Sequence, residues 1–478
     1  MAYEYNAVVY AAGNLSSIFH KALVILLSLL CLILSEPAYP QTLSLNEYVK
    51  NVLEYSNEAY SIESELQISD ISKNIAEQRF EFEWTPSSQT SVSDGQNNVS
   101  MGIEGTRKTT WGPEFTVGVN RSFSGDDITT SYVEVNLGLF RSWGQRYIRS
   151  PLTIAEFSHN KVLLSATKRE QELILSAIIT YYQLGESRLL LRQSRESVER
   201  ARRNLEVAES RQKLGLTDKV DVYRAELSLL DSRESHKRQQ RSANRSNRTY
   251  TDLLGGSQAA PTKGESEIDQ KLLTMSALYP QAWEDRIFSL NIDWQLHLID
   301  REIAEQNLHV AGKNTYPDLQ FFMSADNTHF QDSLREEDLD WTVGLRVSSS
   351  FSLSQERSVF NQERIRYQQL LRHETQLQRD IIAETRDAIG DYESISQRVK
   401  ITETKLDQAE KALELTSLRF QRGLSSNLDQ IETQESLNLA EVSVVRQRIE
   451  RSLQAARIAL TMGILTPSWL DESLGRVQ

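Results

Sequence analysis

The chain has 478 residues, a formal charge of −13, and only 20 Gly and 9 Pro. So few backbone breakers argue against a turn-rich all-β fold, and 25% charged with 39% hydrophobic residues argue against wholesale disorder. The acidity argues against a nucleic-acid binder, which shows a basic footprint, and a single cysteine excludes an intrachain disulfide framework and a cysteine-cluster metal site.

The longest apolar run is Ala22–Leu34, which contains Cys31. It is shorter than the roughly 20 residues that span a bilayer as a helix. Lys21 precedes it and the polar, Pro-containing stretch Ser35–Gln41 follows, so residues 1–40 read as an N-terminal extension and signal peptide. Lipid attachment at Cys31 is the alternative, against which Leu30 stands where a small residue is required. The remainder of the sequence offers no helical anchor, so membrane insertion would have to use β-strands.

Beyond this leader the chain contains one unit twice. Ala201, Leu205, Glu206, Arg211, Gly215, Leu216 and Asp221 recur 208 residues later as Ala409, Leu413, Glu414, Arg419, Gly423, Leu424 and Asp429, and Gly255 recurs as Gly463. The units divide the chain into a first repeat over 41–255, a linker over 256–277, a second repeat over 278–465 and a tail over 466–478.

In each repeat a two-residue period comes first. Phe115, Val117, Val119 and Phe123 alternate with polar or small residues, as do Val133, Val135, Leu137 and Leu139. In the second repeat the same holds for Leu319, Phe321, Met323 and Ala325, and for Trp341, Val343, Leu345 and Val347. These predict strands with one wet and one apolar face. Residues 98–107 are a candidate for one more, turning at Thr110-Trp111-Gly112.

A 3.5-residue period follows. Positions 173, 177, 180, 184, 187, 191, 194, 198, 201, 205, 208 and 212, and the same positions plus 208, are mostly apolar. Such spacing marks a supercoiled helix seam. It predicts helices over Ser150–Leu214 and Gln355–Arg422, each roughly 100 Å long at 1.5 Å per residue. Gly215 and Gly423 end them, Thr217 and Ser425 are placed to cap the next helix, and 216–254 and 424–462 run free of Gly and Pro. Each repeat is thus predicted to close as a long antiparallel helical hairpin.

No catalytic or metal constellation stands out. The seven histidines, at 20, 159, 236, 297, 309, 329 and 373, form no ligand pair, and no phosphate-loop, nucleophile-elbow or dinucleotide motif is present. The basic run Arg233, Lys237, Arg238, Arg241, Arg245 and Arg248 reads as a solvated or inter-subunit helix face. No cofactor is expected.

The order leader, helix, strands, helical hairpin, then helix, strands, helical hairpin resembles the TolC-like outer membrane efflux protein family. So do the tip motifs Arg211-x3-Gly215-Leu216-Thr217-x3-Asp221 and Arg419-x3-Gly423-Leu424-Ser425-x3-Asp429. The resemblance implies a mainly α fold with β: an α-barrel tunnel of duplicated helical hairpins. About four strands per chain would contribute to a trimeric 12-stranded outer-membrane β-barrel. It implies a homotrimer in outer-membrane lipid that meets a periplasmic adaptor protein and an inner-membrane transporter, as a passive conduit for efflux or type I secretion and not an enzyme. The tip residues Gly215, Leu216, Thr217, Gly423, Leu424 and Ser425 would meet the adaptor. Asp429 and Glu432, with Asp221, would form acidic rings at the pore entrance, where charges of one sign focus the potential. Phe420 and Ser425 depart from the Tyr and Arg that can hold such a gate closed. The competing reading is an exported, non-channel coiled-coil scaffold of the cell envelope, which explains the heptads but not the strands.

Overall fold

The computed structural model describes residues 44–93, 96–124, 126–215, 218–255, 283–330, 338–348 and 353–475. Residues 1–43 with Cys31, the whole of the expected linker over 256–277, and Leu216 and Thr217 of the first tip lie outside them.

Helices α1 (Leu45–Tyr55) and α2 (Asn57–Gln78) meet at Ser56, which ends one and caps the other by accepting from Ala59 N. Ser44 and Glu47 form a capping box at the start of α1. Four strands follow, β1 (Glu83–Ser93), β2 (Gln96–Lys108), β3 (Glu114–Ser124) and β4 (Asp126–Gly138), then the single turn α3 (Gln145–Ile148). Helix α4 (Ser150–Lys213) then runs 64 residues with Pro151 in its first turn, where its missing N–H costs no helical bond. Helix α5 (Lys219–Leu253) returns alongside it.

The second repeat runs α6 (Trp283–Leu290), α7 (Ile292–Asn314), β5 (Asp318–Phe330), β6 (Asp338–Ser348), α8 (Ser354–Gln421) and α9 (Asn427–Thr461), and α10 (Pro467–Gly475) follows. The long helices begin and end within one residue of the positions set by the heptad pattern. All twelve seam positions in each copy are buried or half-buried, which identifies the stripe as packing between neighbouring helices.

The core sits beside the middle of α4. Tyr48, Val49 and Val52 of α1 pack there against Ile174, Ala177, Ile178 and Tyr181 of α4, Ala455, Ala456 and Ile458 of α9, and Leu470 of α10. Tyr48 also stacks on Tyr250 at 4.1 Å between ring centroids and donates its hydroxyl to the Tyr250 carbonyl at 3.1 Å. A smaller cluster of Ile287, Trp294 and Ile381 occupies the equivalent place in the second repeat.

Two glycines lock the short helices to the hairpins. Gly255 has φ +76° and would bring a Cβ within 2.6 Å of the Tyr55 carbonyl; Gly463 has φ +69° and would bring one within 2.2 Å of the Leu290 carbonyl. The α1–α2 junction therefore rests on Gly255 as the α6–α7 junction rests on Gly463. Asn291 at the second junction donates to Thr461 O at 2.9 Å.

The six strands form one antiparallel sheet in sequence order, β1-β2-β3-β4-β5-β6. Alternation reveals about four, plus the candidate at 98–107 that becomes β2. β1 adds a strand with no legible pattern, because Glu83–Ser93 holds few apolar residues and carries Pro86, and its order comes from pairing with β2 along its whole length. The turn at 109–113 closes by Thr109 N donating to Pro113 O at 3.0 Å, with Gly112 in the positive-φ region.

Candidate functional site

Two places in the fold gather residues with a role beyond packing: the faces of the sheet and the paired tips of the helical hairpins. On the sheet, register decides the face. Ile103 lies opposite Pro86 and Val119, Val117 opposite Val133, Val133 opposite Ala325, and Ala325 opposite Trp341. Trp84, Met101, Ile103, Val119, Val133, Met323, Trp341, Val343, Leu345 and Val347 on this face are all exposed. Leu345 and Val347 are 64% and 68% accessible, a degree that marks a surface made for an apolar environment.

The opposite face is polar. It carries Glu104, Glu114, Glu134, Asp326 and Asp340, with Lys108 and Arg346, and Asp326 lies directly across from Asp340. Tyr132 donates its hydroxyl to Glu104 at 2.5 Å across the intervening strand. Side chains alternating apolar out and polar in are the pattern of a barrel wall between lipid and a wet lumen. Among the described residues no helix is long and apolar enough to cross a membrane.

At the tips, each long helix ends in a left-handed glycine. Gly423 N donates to Phe420 O at 3.0 Å and Leu424 N to Arg419 O at 2.8 Å, the paired bonds of a Schellman cap. Gly215 N donates to Gln212 O at 3.0 Å in the same way. The next helices start one residue later than expected. Ser426, not Ser425, caps α9: its Oγ accepts from Asp429 N at 3.1 Å while Asp429 Oδ2 accepts from Ser426 N at 2.9 Å. Ser425 instead donates its hydroxyl to the same carboxylate oxygen at 2.9 Å. The cap of α5 is Asp218, whose side chain accepts from Lys219 N, so the role expected of Thr217 passes to its neighbour.

These bonds alter the picture of the acidic residues. The Asp429 carboxylate, with the backbone N–H and then the hydroxyl of Ser426 and the hydroxyl of Ser425 donating to it, is held below the usual carboxylate range. It is exposed, and so is Glu432 three residues on. Asp221 is half-buried, with a carboxylate oxygen 3.7 Å from Arg224. Leu424 is exposed, as is Leu214 beside Gly215.

The two tips are tied together by residues that the sequence pattern did not single out for this purpose. Arg211, of the first tip, places its guanidinium 4.6 Å from the centroid of the Phe420 ring of the second and donates to the Phe420 carbonyl at 3.3 Å. Asn427 Nδ2 donates to the Asp221 carbonyl at 3.1 Å. Phe420 is buried beneath Arg211 and meets it through its ring face. The one sequence signal for this was Arg211 itself, which belongs to the repeated motif.

Comparison with known proteins agrees with this geometry. Residues 295–463 match the family described as outer membrane efflux protein. The solved channel OprN superposes with a TM-score of 0.69 at 16% identity, over 88% of this chain and 89% of its own. VceC of Vibrio cholerae gives 0.66 at 16% identity over 88% and 96%. CmeC of Campylobacter jejuni gives 0.64 at 12% identity over 90% and 89%. No curated protein matches the sequence. The long hairpins and the single sheet thus give this chain the fold of solved outer-membrane channels, and within it the second repeat matches the outer membrane efflux protein family.

Proposed function

We propose that the protein is one subunit of a trimeric outer-membrane channel, a passive conduit that receives cargo at its hairpin tips from a periplasmic adaptor and an inner-membrane transporter. The observation that carries this reading is the sheet. Its apolar face is exposed on every strand, its other face is polar and acidic, and among the described residues neither edge strand has a second neighbour. A sheet with open edges is not viable in lipid, because each unpaired backbone group costs several kcal/mol there, so copies of the chain must close it. The number three is what the resemblance to the outer membrane efflux protein family implies.

At the periplasmic end, Gly215, Leu216, Thr217, Gly423, Leu424 and Ser425 form the adaptor surface, with the exposed Leu214 and Leu424 as its apolar contacts. Asp429 and Glu432, repeated around the axis, form the acidic entrance; Asp221, turned to Arg224, contributes less to it. Outer-membrane fractionation with planar-bilayer recording of the purified protein tests the proposal. Conductance from an outer-membrane oligomer is the expected result, and a soluble, non-conducting periplasmic monomer would sink it in favour of a coiled-coil scaffold.

A further inference from the structure

The repeats differ at one point. Helices α2 and α7 begin at 57 and 292, 235 residues apart, whereas the tip glycines 215 and 423 are 208 apart. That α2 and α7 are equivalent is shown by their junctions, which sit on the equivalent glycines 255 and 463. Up to its tip the first repeat is therefore 27 residues longer than the second, and the excess arises between α2 and β3. The segment Glu83–Lys108, which is β1 and β2, accounts for 26 of them.

The added hairpin is built into the sheet and does not hang from it. β2 pairs with β3 from Ser100 to Lys108, and β1 pairs with β2 from Glu83 to Ser93. The apolar face continues across it through Met101, Ile103 and Trp84, and the Trp84 ring covers Gly105, where an added Cβ would lie 2.7 Å from the ring. The polar face continues through Glu104, Ser87 and Gln89.

We infer that β1 and β6 are the subunit-joining edges and that a second copy of this chain occupies each. The trimeric barrel would then have eighteen strands, where the family resemblance implies twelve. The inference rests on the trimeric channel reading above. Six is an even number, so β1 and β6 run in opposite senses and a cyclic assembly joins them as an antiparallel pair. Both edge strands have 11 residues and both present apolar side chains on the same face. Pro86 removes at most one donor from the joined edge. At a strand spacing of about 4.8 Å and a tilt of about 40°, twelve strands give a backbone radius of about 12 Å and eighteen give about 18 Å. The backbone cylinder through the membrane is thus about 1.5-fold wider than a twelve-stranded one, and its lumen is lined by Glu104 in addition to Glu134, Asp326 and Asp340.

Cysteine cross-linking in the outer membrane tests this, since the only native cysteine is Cys31, in the leader. Ser87→Cys or Gln89→Cys on β1 is combined with Asp340→Cys, Thr342→Cys or Ser348→Cys on β6. A parallel set replaces the β1 cysteine with Asn120→Cys or Ser122→Cys on β3. Each variant is oxidised, run on denaturing gels and recorded in bilayers, and the unmodified protein is imaged by cryo-electron microscopy. Covalent trimers from a β1–β6 pair, with eighteen strands in the membrane band, are expected. A conducting channel that cross-links through β3 and β6, or shows twelve strands, overturns the inference and leaves the channel reading intact. A protein that neither conducts nor cross-links by either set overturns both.

Discussion

Arg211 ties the two tips through the ring and the carbonyl of one residue, Phe420, so on the proposed channel reading its loss is expected to act on gating more than on folding. A partly desolvated cation–π contact contributes about 1–2 kcal/mol, and the single hydrogen bond from Asn427 about 1 kcal/mol. Arg211→Ala with Asn427→Ala is expected to raise open probability or conductance in planar bilayers by several-fold, with the oligomer intact; an unchanged closed state would show that the contacts are incidental. Asp429 closes the capping box of α9, and its proposed entrance charge can be separated from that role by comparison with Glu432. Because its pKa is depressed in the folded tip, its stabilising effect is present at neutral pH and is lost as pH falls through that depressed value. Asp429→Asn should weaken the start of α9 as well as the entrance charge, whereas Glu432→Gln should change charge alone. The double variant is expected to reduce cation preference or block by multivalent cations, and unchanged selectivity would remove the acidic-ring role. His297 lies deeper, 6% exposed, with Nε2 3.7 Å from Glu374 and its ring 5.5 Å from that of His373. Burial lowers its pKa, despite the opposing pull of Glu374. The unfolded chain therefore takes up this proton first, and stability falls as pH drops below the ordinary histidine range. Thermal melting should show a decline from pH 7 to pH 5 that His297→Asn partly flattens.

At the scale of elements, the glycines separate into kinds that substitution can tell apart. Gly215 stands in open space, so Gly215→Ala meets only the left-handed backbone, a cost of about 1–2 kcal/mol. Gly463→Ala and Gly255→Ala meet the same cost and also drive a Cβ into a carbonyl of the neighbouring helix junction. Their variants should assemble poorly, while Gly215→Ala assembles nearly as the parent does. Gly390 lies exposed inside α8 with nothing near its Cβ position, so Gly390→Ala should raise stability by about 0.5–1 kcal/mol in chemical denaturation. Elsewhere the helices are joined by surface ion pairs such as Lys161–Asp300 and Arg448–Glu403. Each of these is worth about 0–1 kcal/mol, so the register of the bundle rests on the buried seam and not on them.

Over the whole molecule, the long helices and most strands were legible because their signals are local and periodic. A seam residue recurs every three or four positions and a strand face every second one, so each element carries its own pattern. The repeat made the hairpin tips legible too, with Gly215 and Gly423 at the turns. What the sequence by itself determined is therefore a duplicated, mainly helical chain with amphipathic strands set at the same place in both halves. Tertiary structure decided the rest, because those features depend on partners far away in the chain. β1 is a strand only because β2 pairs with it. The caps fall on Asp218 and Ser426 because hydrogen-bond geometry, not composition, sets where a helix starts. Arg211 finds Phe420, 209 positions away, only when the two hairpins lie side by side. The sheet, six strands wide and open at both edges, joins the strands of both repeats, so its width could not be read from either repeat alone.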